Sequence, residues 1–257
     1  MRIRSRGMPT ALVTGASSGI GDQFARQLAE RGHDLVLVAR RADRLEKLAG
    51  ELSTRTHAIA CDLASDAASL PGKVAGLGVD IDLLVNNAGF GTHGKFWEID
   101  GRRDAEMVRL NCEAVVTLTR AFLPAMIERG SGGVIVVAST AGMQPLPYET
   151  VYSASKAFAL NFTDALSAEL RGTGVKAMSV NPGPVPTEWQ AIADFEEGPD
   201  RLPGVIEADQ VVRESLAAYD KGKRSFIPGR TFRWFMRASS LGPRAVGLRV
   251  AERMYRK

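Results

Sequence analysis

The 257-residue chain is 45% hydrophobic and 24% charged, an ordinary globular composition that fits one large α/β domain or two small ones. Its net charge of +4 is uneven. Residues 221–257 carry 11 Lys/Arg and one acid, so the remaining 22 basic and 28 acidic residues leave the body at −6; a local basic segment on an acidic body is not a nucleic-acid-binding composition. No apolar run approaches the roughly 18 residues of a membrane span. Two cysteines outside any CxxC and three scattered histidines cannot build a zinc set, which points to a reducing, cytoplasmic setting.

Met1 to Gly7 are basic and lead into a short strand rather than a secretory apolar core. Residues 1–8 therefore read as a frayed extension, with Met8 as an alternative start. Ala11–Thr14 is a strand, followed by a helix from about Gly19 to Arg31. Asp34–Ala39 is a second strand, followed by a helix near Ala42 to Leu52. His57–Cys61 and Ile81–Val85 are the third and fourth strands. A long helix is expected from about Arg103 to Glu128, kinked or ended locally by Pro124. Gly133–Ala138 is the fifth strand, a helix covers about Tyr152 to Arg171, and Lys176–Val180 is the sixth strand. Near-continuous apolar strands separated by helices specify a parallel sheet covered on both faces. The reading is an α/β, doubly wound, Rossmann-like single domain over residues 9–220, with a substrate lid at about 187–205 and a basic tail over 221–257.

Between the first strand and helix stands Thr14-Gly15-Ala16-Ser17-Ser18-Gly19-Ile20-Gly21. Glycine lets the backbone turn sharply and approach a ligand closely, and the helix N-terminus offers free N–H groups to a phosphate. In a strand-turn-helix setting this is a dinucleotide site. At the end of the second strand, where an acid would hold the ribose 2′-OH of NAD, the chain has Arg40-Arg41. A guanidinium there suits the 2′-phosphate of NADP(H), with Arg40 as the main contact.

Tyr152 and Lys156 lie one helical turn apart, so both project from one face. A nearby ammonium favours the phenolate and lowers a phenol's pKa from about 10. That pairing makes a candidate proton-transfer device.

With these marks in order, the chain resembles the short-chain dehydrogenase/reductase family over about residues 9 to 190. The resemblance rests on the TGxxxGxG turn at Thr14–Gly21, Asp62 after the third strand, and Asn86-Asn87-Ala88-Gly89 after the fourth. It rests further on Asn111 in the long helix, Ser139 after the fifth strand, Tyr152/Lys156, and Pro182-Gly183 after the sixth. The Arg40-Arg41 pair resembles NADP-preferring members. The resemblance implies that Tyr152 donates a proton to a substrate carbonyl oxygen as hydride arrives, with Ser139 as second donor. Lys156 would lower the Tyr152 pKa and bond the nicotinamide ribose, and Asn111 would hold a water linking Lys156 to solvent through a backbone carbonyl. Gly15, Ser17, Ser18, Gly19, Ile20 and Gly21 would take the pyrophosphate, Asp62 and Leu63 the adenine, and Val185 and Thr187 the carboxamide. The loop begun by Asn87 would pass along the cofactor. Structural alternatives stand beside these roles: Ser139 as a cap, Asp62 as a turn starter, Asn87 as a loop stabiliser, Asn111 as a mid-helix hydrogen-bonder. A homodimer or homotetramer through the Arg103–Glu128 and Tyr152–Arg171 helices is also implied.

Glu188 to Pro203 is acidic and carries apolar Trp189, Ile192 and Phe195, which leaves two readings, a lid for a lipophilic ketone or aldehyde or packing of the lid on itself. His93 and Phe96 are candidates for the same pocket, with a structural histidine as the alternative. In the tail, Pro243 can start a helix. Val246, Val250 and Met254 would share one face of it, and Arg249, Arg253 and Arg256 another. That pattern leaves two readings, contact with an anionic membrane surface or packing on its own subunit. The expected function is an NADP(H)-dependent oxidoreductase interconverting a carbonyl and an alcohol. A 3-oxoacyl-thioester reductase and a non-catalytic NADPH-sensing module are the alternatives.

Overall fold

The structure, a computed structural model, describes residues 8–188, 193, 204–239 and 244–255. Seven strands form one parallel sheet: β1 (Thr10–Thr14), β2 (Asp34–Ala39), β3 (Thr56–Ala60), β4 (Leu83–Asn86), β5 (Gly132–Val137), β6 (Val175–Val180) and β7 (Ser225–Phe226). Their order is β3-β2-β1-β4-β5-β6-β7. The chain steps outward from β1 to β3, then returns to β4 on the other side of β1. This switch point opens a crevice at the carboxyl ends of the strands.

Alternation along the strands feeds two cores. Ala11, Val13, Leu35, Leu37, Met178 and Val180 face one layer with Phe24 and Leu28 of α1 (Gly19–Glu30) and Leu45 of α2 (Ala42–Glu51). Leu12, Val36, Val38, Leu84, Val134 and Val136 face the opposite layer with Leu118, Met126 and Ala159. Both faces are apolar because helices cover both, so strand burial is nearly continuous. Each fully buried leucine contributes roughly 2 kcal/mol of transfer free energy.

The long helix has a defect at its centre. After the short helices α3 (Leu63–Asp66) and α4 (Leu70–Ala75), α5 (Gly101–Val108) and α6 (Ala114–Arg129) are joined by a π-helical segment at Arg109–Glu113. Pro124 neither ends nor starts an element; it lies inside α6 on the exposed side, where solvent can satisfy the carbonyl it frees. By length and composition, Gly101–Arg129 could cross a membrane, yet Leu118 and Met126 are buried in the core beneath the sheet. α7 (Thr150–Glu169) is followed by β6 and then α8 (Ala208–Asp220). The tail is not separate from the domain. β7 lies beyond residue 220 and pairs with β6, and α9 (Arg230–Ser239) and α10 (Arg244–Tyr255) follow it. A two-residue strand carries no periodic signal, which is why six strands are legible and the seventh is not.

Candidate active site

The glycine turn is built as the sequence requires. Gly15 and Gly19 have φ of +66° and +57°, in the left-handed region. Gly21 carries no such strain but has no room: a Cβ there would collide with the Gly15 carbonyl oxygen and lie 2.6 Å from Asn87 Nδ2. Asn87 Nδ2 donates to Thr14 O at 2.9 Å, and the N–H groups of Asn87 and Ala88 donate to Thr14 Oγ1 at 2.9 and 3.0 Å. Asn87 therefore locks the β4 loop to the turn while itself lining the crevice.

Ser18, the N-cap of α1, makes no capping hydrogen bond with its side chain. Instead the Ser17 and Ser18 hydroxyls accept from Arg41 Nη2, each at 3.0 Å. The first N–H groups of α1 are left for a ligand. The fold sets the two adjacent arginines apart. Arg40 is 62% exposed, 3.5 Å from Glu106; Arg41, one residue on, turns back onto the glycine turn. Both line the cavity, and only the fold separates them. Asp62 caps the short helix after β3 by accepting from Ala64 N at 3.1 Å, and lines the cavity with buried Leu63.

A continuous cavity of about 1010 Å³ runs from Gly15, Ser17, Ser18, Gly19 and Ile20, past Val185 and Thr187, to Ser139, Tyr152 and Lys156. Ser139 accepts from Ala141 N at 3.1 Å as the cap of a 3-10 turn and also hydrogen-bonds to Tyr152, so capping does not take it away from the phenol. Tyr152 and Lys156 are 8% and 7% exposed. Lys156 Nζ donates to Val137 O at 2.9 Å and lies 5.8 Å from the centre of the Tyr152 ring.

The expected electrostatics of the pair are reversed in this structure. Burial, then the nearby Glu149 carboxyl, push the Tyr152 phenol up from its ordinary value; only the Ser139 hydrogen bond pulls it down. The Lys156 ammonium is meanwhile turned to a backbone carbonyl. Burial brings its own pKa down to about 8.

Asn111 sits in the π-helical segment, 3% exposed. Its Nδ2 donates to Phe90 O and Ser155 Oγ, both at 3.0 Å, and its Oδ1 accepts from Phe90 N at 3.3 Å. These bonds pin the loop after β4 to α7. A Cβ on Gly89 would lie 2.9 Å from Asn111 Oδ1 and 3.4 Å from Lys156 Nζ, so the missing side chain leaves room for both. These bonds occupy the side-chain amide, whereas the expected water would pass through a backbone carbonyl.

The far end of the cavity was missed by sequence reading. Phe232, Phe235 and Met236 of α9 and Gly247, Val250, Ala251 and Tyr255 of α10 form its wall. Ala251 is 4% exposed, whereas Val250 of the expected apolar face is 51% exposed and meets the cavity only at its rim. The side chains of Val246, Met254 and Arg256 lie outside the described residues, as do the lid positions Trp189, Ile192 and Phe195. Glu149, 4% exposed, also lines the cavity, and burial raises its carboxyl to about 8. His93 is buried 3.9 Å from Glu149 but does not line the cavity, and Phe96 is 57% exposed; neither is a pocket wall. Tyr148 lies beside His93 with φ +69°, a strained value for a residue with a side chain.

A glycine turn at the switch point of a doubly wound sheet thus shares one cavity with Ser139, Tyr152 and Lys156. The chain belongs to the short-chain dehydrogenase family, whose model matches residues 9–197. It is 36% identical over 192 residues to a very-long-chain 3-oxoacyl-CoA reductase of Anas platyrhynchos, covering 71% of this chain and 62% of that protein. The chain thus spans about three fifths of that relative's length. Among solved structures it resembles a short-chain dehydrogenase from Sphingobium yanoikuyae in complex with NADPH (33% identity, TM-score 0.80, 91% of this chain and 93% of that one). It also resembles a bulky-bulky ketone specific alcohol dehydrogenase from Comamonas testosteroni (30% identity, TM-score 0.76, 91% and 92%).

Proposed function

We propose that this chain is an NADP(H)-dependent carbonyl reductase or alcohol dehydrogenase for lipophilic ketones or aldehydes. The observation that carries the reading is the cavity itself: one end is a phosphate cradle with Arg41, the middle holds Ser139 and Tyr152, and the far wall is apolar. The residues fit the dinucleotide: the turn and the N-terminus of α1 would hold its phosphates, Arg41 its 2′-phosphate, Asp62 and Leu63 its adenine, and Lys156, Val185 and Thr187 its nicotinamide riboside. When bound, that cofactor supplies or accepts the hydride.

The chain's own work is placement and proton delivery. Burial keeps Tyr152 protonated, as a donor must be, and its hydrogen bond with Ser139 brings two hydroxyls to one position. Donors aimed at an oxygen that gathers negative charge lower the barrier, the more so where water is excluded. Lys156, with a pKa near 8, is a second proton carrier one helical turn away. Leu146, Phe232, Met236 and Ala251 line the substrate end. Tyr152→Phe should abolish turnover while NADPH still binds; retained turnover would refute the assignment.

A 3-oxoacyl-thioester reductase is the second reading, favoured by the likeness to the Anas platyrhynchos reductase. NADPH consumption against ketones, aldehydes and acyl thioesters separates the two. Intact Ser139, Tyr152 and Lys156 argue against a sensor without chemistry. The proposed assembly is a homodimer or homotetramer, supported by exposed Val108 and Ile127 along α5 and α6 and the stacked Phe158–Phe162 pair on α7. The proposed setting is cytoplasmic, in keeping with free Cys61 and Cys112.

A further inference from the structure

At the cofactor end of the cavity, Arg41 belongs to an ion-pair cluster with two residues, Glu188 and Arg44, that have no part in the chemistry above. Glu188 Oε2 accepts from Arg41 Nη1 at 2.8 Å, and its Oε1 accepts from Arg44 Nη1 at 2.6 Å. Arg41 meanwhile holds Ser17 and Ser18 through Nη2. The neighbouring Thr187 packs on the same turn; a Cβ on Gly19 would lie 3.0 Å from its Cγ2. The segment leaving β6 is therefore tied to the glycine turn and to α2 through one carboxylate.

We infer that Glu188 is a specificity-determining residue whose carboxylate holds, between Arg41 and Arg44, the anion position of a ribose 2′-phosphate, so that a 2′-phosphate must compete with it. This rests on the NADP(H) reading above. Carboxylates and phosphates take guanidinium N–H groups through the same paired-oxygen geometry. Two arginines from the start of α2 serve this one carboxylate, whereas Arg40 is directed to Glu106. A proton does not open the bridge: Arg44 and Arg41 hold the Glu188 carboxyl down at about 2, so it stays ionised at any working pH. Only another anion relieves it. A dinucleotide without the 2′-phosphate leaves the bridge closed. One with it exchanges Glu188 for phosphate at the two guanidinium groups.

The test is calorimetric binding of 2′,5′-ADP and 5′-ADP, which isolate the 2′-phosphate without turnover, to the wild type and Glu188→Gln. The wild type should prefer 2′,5′-ADP. Because all three side chains are partly exposed, the Gln variant should bind 2′,5′-ADP only about fivefold more tightly, with 5′-ADP unchanged. Arg41→Ala should remove the preference. A wild-type preference that Glu188→Gln leaves unchanged or weakens overturns this inference alone. A wild type with no preference overturns the NADP(H) reading, and this one with it.

Discussion

Glu149→Gln should remove a pH-dependent loss of stability. Glu149 precedes α7, is buried beside Tyr152, and has His93 Nδ1 3.9 Å away. Burial raises its carboxyl from 4.5 to about 8. The unfolded chain gives up this proton near 4.5 and the folded chain only near 8, so the folded state binds the extra proton in between. By linkage, the stability is fully present below 4.5, declines as pH rises through that window, and is gone above 8. At 1.36 kcal/mol per unit, the loss between pH 5 and 7.5 is about 3 kcal/mol. Lys156 adds no slope there. Its folded value of about 8 lies below its ordinary 10.5, so both states are protonated below 8. Urea unfolding at pH 5 and pH 7.5 measures the effect: wild type should lose about 3 kcal/mol more than Glu149→Gln across the interval. Groups common to both proteins cancel in that difference. Equal losses would refute a buried, protonated carboxyl at this position.

Gly21→Ala forces a methyl against the Gly15 carbonyl; it should cost about 3 kcal/mol and weaken NADPH binding more than tenfold by fluorescence titration. Asn111→Leu strips the partners from both backbone polar groups of buried Phe90. Chemical unfolding should show a loss of roughly 2–4 kcal/mol. Deleting residues 244–257 removes Val250, Ala251 and Tyr255 from the cavity wall. The KM for a bulky ketone should rise about tenfold while the NADPH Kd stays within about twofold, since a few apolar contacts are worth one to two kcal/mol. Liposome flotation with and without residues 232–257 should give equal recoveries, because this segment turns Phe232, Met236 and Ala251 inward.

What could be read in the chain was local. Apolar runs at strand length and glycines spaced for a turn report what the backbone can do at one place, and they were enough for six strands, the doubly wound sheet and the Gly15–Gly21 cradle. The Tyr152/Lys156 spacing placed both side chains on one helix face, and the family resemblance supplied Ser139 and Asn111. The tertiary structure decided whatever depends on which distant groups share a space. It chose Arg41 over Arg40 at the turn, and it set Glu188 against two arginines 147 and 144 residues earlier. It gave Lys156 the Val137 carbonyl rather than an ionic hold on Tyr152, and it folded the basic tail into the pocket wall. Adjacent arginines have the same chemistry until the fold aims them. A tyrosine's proton affinity is set by what covers it, and covering is a property of the packed chain.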